Sequence, residues 1–144
     1  SKAVNFDQTM TLMKRIISFS DKRLAAFIAN SFREIFSYLS IDTEILMSSD
    51  IPKDNSLRGK DKILQICEIL GADTYYNAIG GQNLYDKKEF SEHGIVLNFV
   101  DTIPKVYSQL RTKEFVPYLS MIDVLMNNTK DEVNDLLDSF CVRY

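Results

Sequence analysis

A chain of 144 residues, 45% hydrophobic and 26% charged, has the length and composition of one folded domain that needs no disulfide or metal staple. A net charge of −3 and a pI near 5.1 argue against non-specific attraction to nucleic acid or anionic membrane. No apolar run approaches the ~18–20 residues of a membrane span and no basic-then-apolar leader is present, so the expected location is the cytoplasm.

Two helices open the chain. Phe6, Met10, Met13 and Ile17 recur at helical spacing, Ser20-Asp21 interrupts, and Leu24, Phe27, Ile28, Ile35 and Leu39 resume the pattern. Ser20 or Asp21 is the expected N-cap of the second helix. From residue 43 the period changes: "TEILM" reads as a strand, and Ser48-Ser49-Asp50-Ile51-Pro52 as the turn after it. The polar "KDNSLRGK" is a loop. Ile63, Ile66, Cys67 and Leu70 then form a helical stripe closed by Gly71, a natural left-handed C′ residue. "TYYNAI" is a second strand, ending at Gly80-Gly81, and a short polar helix near Lys87–Glu92 ends at His93-Gly94. "IVLNFV" is the third strand, with Ile95, Leu97 and Phe99 on one face and Val96, Asn98 and Val100 on the other. Two C-terminal helices follow, the second opened by a Thr129/Glu132 capping box and carrying Val133, Leu136, Leu137 and Phe140.

Strands separated by helices are normally parallel with right-handed crossovers. The expected fold is therefore α/β: a small open parallel three-stranded sheet with helices on both faces. It forms a single domain over 1–144, divided into a helical pair (1–40), a β-α-β-α-β core (43–101) and C-terminal helices (119–141). In such a sheet ligands bind beyond the carboxyl ends of the strands. That rule selects Ser48, Ser49 and Asp50, then Gly80, Gly81, Gln82 and Asn83, then Asp101 and Thr102, with Lys53, Arg58, Lys60 and Asp61 in or next to the first loop. Each has a plainer alternative. The glycines would permit positive φ in a turn, Asp50 would cap the next segment, and the cations would be solvated. Tyr85 and Asp123 are further rim candidates, although Asp123, three residues after Ser120, is also placed as the acid of a second capping arrangement.

Cys67 and Cys141 share no metal-ligand spacing and fall on apolar stripes, so both read as packed thiols. His93, the single histidine, precedes a helix-ending glycine and reads as a helix C-terminal contact. There is no zinc pattern, nucleophile elbow, phosphate loop or dinucleotide fingerprint, so no metal or cofactor is expected. The catalytic residues stay unassigned.

"SSDI", "RGKDKILQICEILGADTYYNAIGGQNLYDKKEFSEHGIVLNF", "VYSQL" and "FVPYLSMIDVLMNN" together resemble the WbqC-like family of bacterial proteins, from roughly Leu39 to the C-terminus. Gly59, Asp61, Gly71, Tyr76, Gly81, Tyr85, Phe90, Gly94, Tyr107, Gln109, Phe115, Ser120 and Asp123 fall where the family pattern has its recurring residues. The resemblance implies a role in surface-polysaccharide or O-antigen assembly, as a transferase of an acyl or aminoacyl group onto a nucleotide-linked amino sugar. The partners it implies are thus a nucleotide-sugar and an acyl donor. The family's His-Gln-Pro opening and Trp-rich basic stretch are absent here, so the chain reads as the C-terminal two thirds of a longer member. It would be inactive alone if that histidine belongs to the active site. The alternatives are a non-catalytic sugar- or partner-binding domain that completes a larger enzyme, and a structural domain whose rim is turn chemistry throughout. A homodimer is compatible with surface that a missing segment would otherwise cover.

Overall fold

The computed structural model describes residues 3–144, which form two compact units. Unit 1 comprises residues up to Ile45 together with Pro104–Ser139, and unit 2 comprises Leu46–Ile103 with Phe140–Tyr144. Among the described residues, no helix is long and apolar enough to cross a membrane.

Unit 1 holds α1 (Phe6–Ile17), α2 (Leu24–Leu39), α5 (Met121–Asn127) and α6 (Lys130–Leu137). Its core is Leu12, Ile16, Leu39, Leu125 and Val133. The buried stripe of α1 is Thr9, Leu12 and Ile16, one position off the expected one, and Ile17 is exposed. Polar groups decide this. Asn5 and Thr9 donate to the Leu125 carbonyl at 3.0 and 2.8 Å, and the Asn5 N–H reaches the Met126 carbonyl. The last carbonyls of a helix have no partner within it, so α1 turns this polar pair, not Met10 and Met13, toward the end of α5. Helix α2 begins at Leu24 without a side-chain cap. Asp21 instead accepts the Arg23 N–H and pairs with the Arg23 guanidinium at 2.7 Å, which holds the Asp21 pKa down at about 2. The Thr129/Glu132 capping box forms as expected.

Unit 2 holds α3 (Gly59–Leu70), β1 (Thr74–Ala78), a 3-10 turn at Ile79–Gly81, α4 (Lys87–Glu92), β2 (Val96–Thr102) and β3 (Phe140–Arg143). Gly71 closes α3 in the left-handed region, at φ 64°. The strand order is β1-β2-β3. β1 runs parallel to β2 in the register Tyr75↔Leu97, and β3 runs antiparallel to it in the register Phe99↔Arg143. The core of unit 2 is Leu64, Cys67, Phe90, Ile95, Leu97 and Phe99.

The α/β class holds, and three features of the expected sheet do not. Residues 43–47 form no strand, and Leu46 is half exposed. Among the described residues this short run pairs with no strand, so its apolar residues alone do not make one. The third strand is Phe140–Arg143, which removes Phe140 and Cys141 from the last helix and makes the sheet mixed. The spacing of Leu136 and Phe140 mimics a continuing helix. The helix stops at Leu137, and the aromatic and β-branched "FCV" takes the free edge of β2. Within unit 2, α3 and α4 share the face that carries Leu97 and Phe99, rather than covering both faces, because the apolar side chains of β2 lie mainly there.

Candidate functional site

Beyond the carboxyl end of β1, the 3-10 turn brings Asn83, Leu84 and Tyr85 against the first turns of α3 and α4. The result is an open groove of about 650 Å³ lined by these three with Lys60, Asp86, Lys87 and Glu89. Tyr85 is held from the core side: Tyr75 and Phe90 stack at 5.6 Å, and Tyr85 meets both edge-on at 6.2 and 5.8 Å, which fixes its ring. Burial, followed by the neighbouring Tyr85, pushes the Tyr75 phenol pKa up.

The groove carries two ammonium groups and two carboxylates. Glu89 hydrogen-bonds Lys60 and raises its pKa, keeping it charged. Asp86 caps α4 by accepting the Lys88 N–H at 2.8 Å. Lys87 lies 5.9 Å from the centroid of the Phe99 ring and has no ion pair among the described residues. Of the two cations in the groove it is thus the one without a carboxylate partner among the described residues.

Of the residues expected at the rim, the structure brings Lys60, Asn83 and Tyr85 together in the groove. Gly80 and Gly81 lie just before it in the 3-10 turn, and neither has positive φ. The bare backbone is needed for space: a Cβ on Gly81 would lie 2.5 Å from Asn77 Nδ2, whereas one on Gly80 would meet nothing. Ser48, Ser49 and Asp50 form a turn in which the Asp50 N–H bonds the Met47 carbonyl and the Ser49 hydroxyl bonds Asp50. With no strand at 43–47, they do not mark a strand end. Lys53 donates to the Ser48 carbonyl, and Arg58 donates to the Asn55 and Leu57 carbonyls at 2.6 and 3.0 Å, so both serve their own loop. Asp61 is exposed in the first turn of α3.

Asp123 belongs to unit 1. No second cap forms at Ser120. Asp123 instead accepts from Tyr107 at 2.7 Å, Asn127 at 3.0 Å and Gln109 at 3.3 Å. Gln109 also bridges both backbone groups of Val116, and Tyr107 meets Phe115 edge-on at 5.2 Å. Four positions of the recurring pattern thus form one network that pins the long 104–120 segment to α5. Beside it Asp123, Arg111 and Asn127 line a cavity of about 350 Å³.

The remaining candidates for chemistry are occupied. His93 caps α4 and sits 2.7 Å from Glu68. Cys67 is buried, and desolvation raises its thiol pKa. Asp86, Lys87 and Glu89 were not legible as site residues. They sit in an ordinary polar helix start, and only the 29-residue reach from Lys60 to Glu89 shows that they share a groove.

The model of the WbqC-like protein family matches residues 1–135 of the chain. The match takes in both N-terminal helices, so it begins well before Leu39 and covers far more than two thirds of the chain. No curated protein and no solved structure matches it.

Proposed function

Because this chain belongs to the WbqC-like family, we propose that it binds a nucleotide-linked amino sugar in surface-polysaccharide biosynthesis, where the sugar amine receives an acyl or aminoacyl group. The groove beyond β1 is the binding surface, and the observation that carries the reading is its grouping of side chains. Lys87, with no carboxylate partner, supplies a cation for a diphosphate. Asn83 and Tyr85 supply polar tips for a sugar, and Asp86 and Glu89 attract its ammonium. In the transfer the bound ammonium first gives one proton to solvent, and the freed amine nitrogen attacks the donor's carbonyl carbon, so that a C–N bond forms and the bond to the donor's leaving group breaks. A groove carboxylate takes the second proton from nitrogen and the leaving group carries away the electron pair. Nucleotide sugars place this step in the cytoplasm.

Titration with UDP-glucosamine, followed by amide NMR, tests the reading. Saturable shifts are expected at Asn83–Lys87, and Lys87→Ala should weaken binding about tenfold. Shifts that avoid the groove would end it. A second reading, a binding domain that completes a larger enzyme, is favoured by the groove's lack of a nucleophile–base pair, since His93 and Cys67 are engaged elsewhere. It predicts binding without turnover when an acyl donor is added.

A further inference from the structure

Asn128 closes α5, just before the Thr129 cap of α6, and is 4% exposed. Its N–H and its Nδ2 both donate to the Val124 carbonyl, at 3.1 and 2.8 Å. Its Oδ1 accepts no hydrogen bond among the described residues, yet that oxygen is not sealed from solvent. An acceptor that is open in a side chain otherwise enclosed is a fixed point for a ligand donor. Asn128 lines a cavity of about 260 Å³ that lies within unit 1, walled also by Lys105, Val106, Ser108, Asp135 and Leu136. Three further polar residues of the wall are committed: Tyr107 to Asp123, Asn127 to Asp123 and Leu110, and Glu132 to its capping box. Lys105, Ser108 and Asp135 are exposed, and their side chains make no hydrogen bond or ion pair among the described residues.

The unmet groups are of both kinds: Asn128 Oδ1 and the Asp135 carboxylate accept, the Lys105 ammonium donates, and the Ser108 hydroxyl does either. They are also of both charges. An anion drawn to Lys105 would face Asp135 and Glu132, and an ammonium drawn to the carboxylates would face Lys105. A hydroxyl is uncharged and both donates and accepts, so two neighbouring hydroxyls satisfy such a set. We infer that this cavity binds one neutral sugar ring through a vicinal diol. The two hydroxyls donate to Asn128 Oδ1 and Asp135 and accept from Lys105 and Ser108, while the C–H face of the ring lies against Val106 and Leu136. The cavity is smaller than the ~300 Å³ at which sites for drug-sized ligands begin, so it takes a single ring and not a nucleotide. This site stands independently of the nucleotide-sugar groove, which belongs to unit 2 and shares no residue with it.

Amide NMR of the whole chain tests this, with the methyl glycosides of glucose, galactose and mannose as neutral probes and glucosamine and glucose 1-phosphate as charged ones. Saturable shifts at Val106–Ser108, Asn128 and Asp135 are expected with at least one neutral probe, at a Kd of about 1–10 mM, and the tightest of the three reports the diol geometry that fits. Both charged probes should bind more weakly than that one. Asn128→Ala should lose the shifts, but it also gives up the bond to Val124. Lys105→Ala and Asp135→Ala, at exposed positions, should keep the Tm of the parent and each weaken binding about tenfold. The site is overturned if no neutral probe gives a saturable shift there up to about 50 mM, or if a charged probe binds as tightly as the best of them. It is equally overturned if the Lys105→Ala/Asp135→Ala double variant binds like the parent. Shifts confined to Asn83–Lys87 would overturn it too, while leaving the groove of unit 2 standing.

Discussion

At the scale of single residues, Gly81 is set by one neighbour. Asn77 holds its side chain against the turn, with Oδ1 accepting the Ala78 N–H at 2.8 Å and Nδ2 where a Cβ on residue 81 would go. Gly81→Ala therefore forces the Asn77 amide to rotate and give up that bond, a cost of about 1 kcal/mol. Gly80→Ala, with open space and no left-handed φ, should stay within about 0.5 kcal/mol of the parent. Urea denaturation of the two variants decides the matter, and equal stabilities would remove Asn77 as the reason for the glycine. Sequence reading located this spot as one needing a bare backbone, but positive φ was the wrong reason for it. Nothing local in "NAIGG" shows an asparagine folding back over four residues. Asn98 illustrates the same limit: its face of the strand was legible, and the burial of its Oδ1 without a hydrogen-bond partner among the described residues was not.

Among the elements, those with strong local signals were the legible ones. Helix α3 ends on its glycine, α6 begins on its capping box, and β1 and β2 follow their apolar runs. The failures are elements whose state depends on a partner elsewhere. The run 43–47 has the composition of a strand but pairs with none among the described residues, while Phe140–Arg143 continues a helical spacing and pairs with β2, some 40 residues earlier in the chain (Asp101↔Cys141). The groove is hidden in the same way: Lys60 and Tyr85 could be picked from strand-end logic, but their companions on α4 could not. The capping box of α6 gives a prediction with a sign. The Thr129 N–H and hydroxyl hold the Glu132 carboxyl below its ordinary pKa, so the bond's contribution is present above the unfolded value of 4.5 and lost as pH falls through the folded one. Between about pH 6 and pH 3 the parent should lose more stability than Glu132→Gln, which keeps an acceptor but does not titrate. Thr129→Ala should cost about 1 kcal/mol at neutral pH. Parallel pH profiles for parent and Glu132→Gln would show that the depressed carboxyl makes no such contribution.

Taken whole, the molecule carries two cores drawn from interleaved stretches of one chain. The chain passes from unit 1 to unit 2 after Ile45, returns at Pro104, and leaves again at Phe140 to supply the antiparallel edge of the sheet. Leu125, 1% exposed, belongs to the core of unit 1, and Phe90, with no exposed surface, to the core of unit 2. Truncating a filled aromatic site costs about 3–5 kcal/mol and a leucine site about 2–5 kcal/mol, from the lost burial plus the cavity left behind. Because neither core contains a residue of the other unit, each loss should appear first where that core is. In Phe90→Ala, hydrogen exchange should accelerate in α3, β1, α4 and β2, with the stacking partner Tyr75 and the edge-on Tyr85 loosened together. In Leu125→Ala it should accelerate in α1, α2, α5 and α6, where Asn5 and Thr9 bond the carbonyl of that same residue. The pair also bears on function. If the groove beyond β1 binds a nucleotide sugar through unit 2, Phe90→Ala should weaken binding by releasing Tyr85, and Leu125→Ala should leave the intrinsic affinity near that of the parent in whatever fraction stays folded. A uniform rise in exchange across both units, from either substitution, would mean that the two cores open as one.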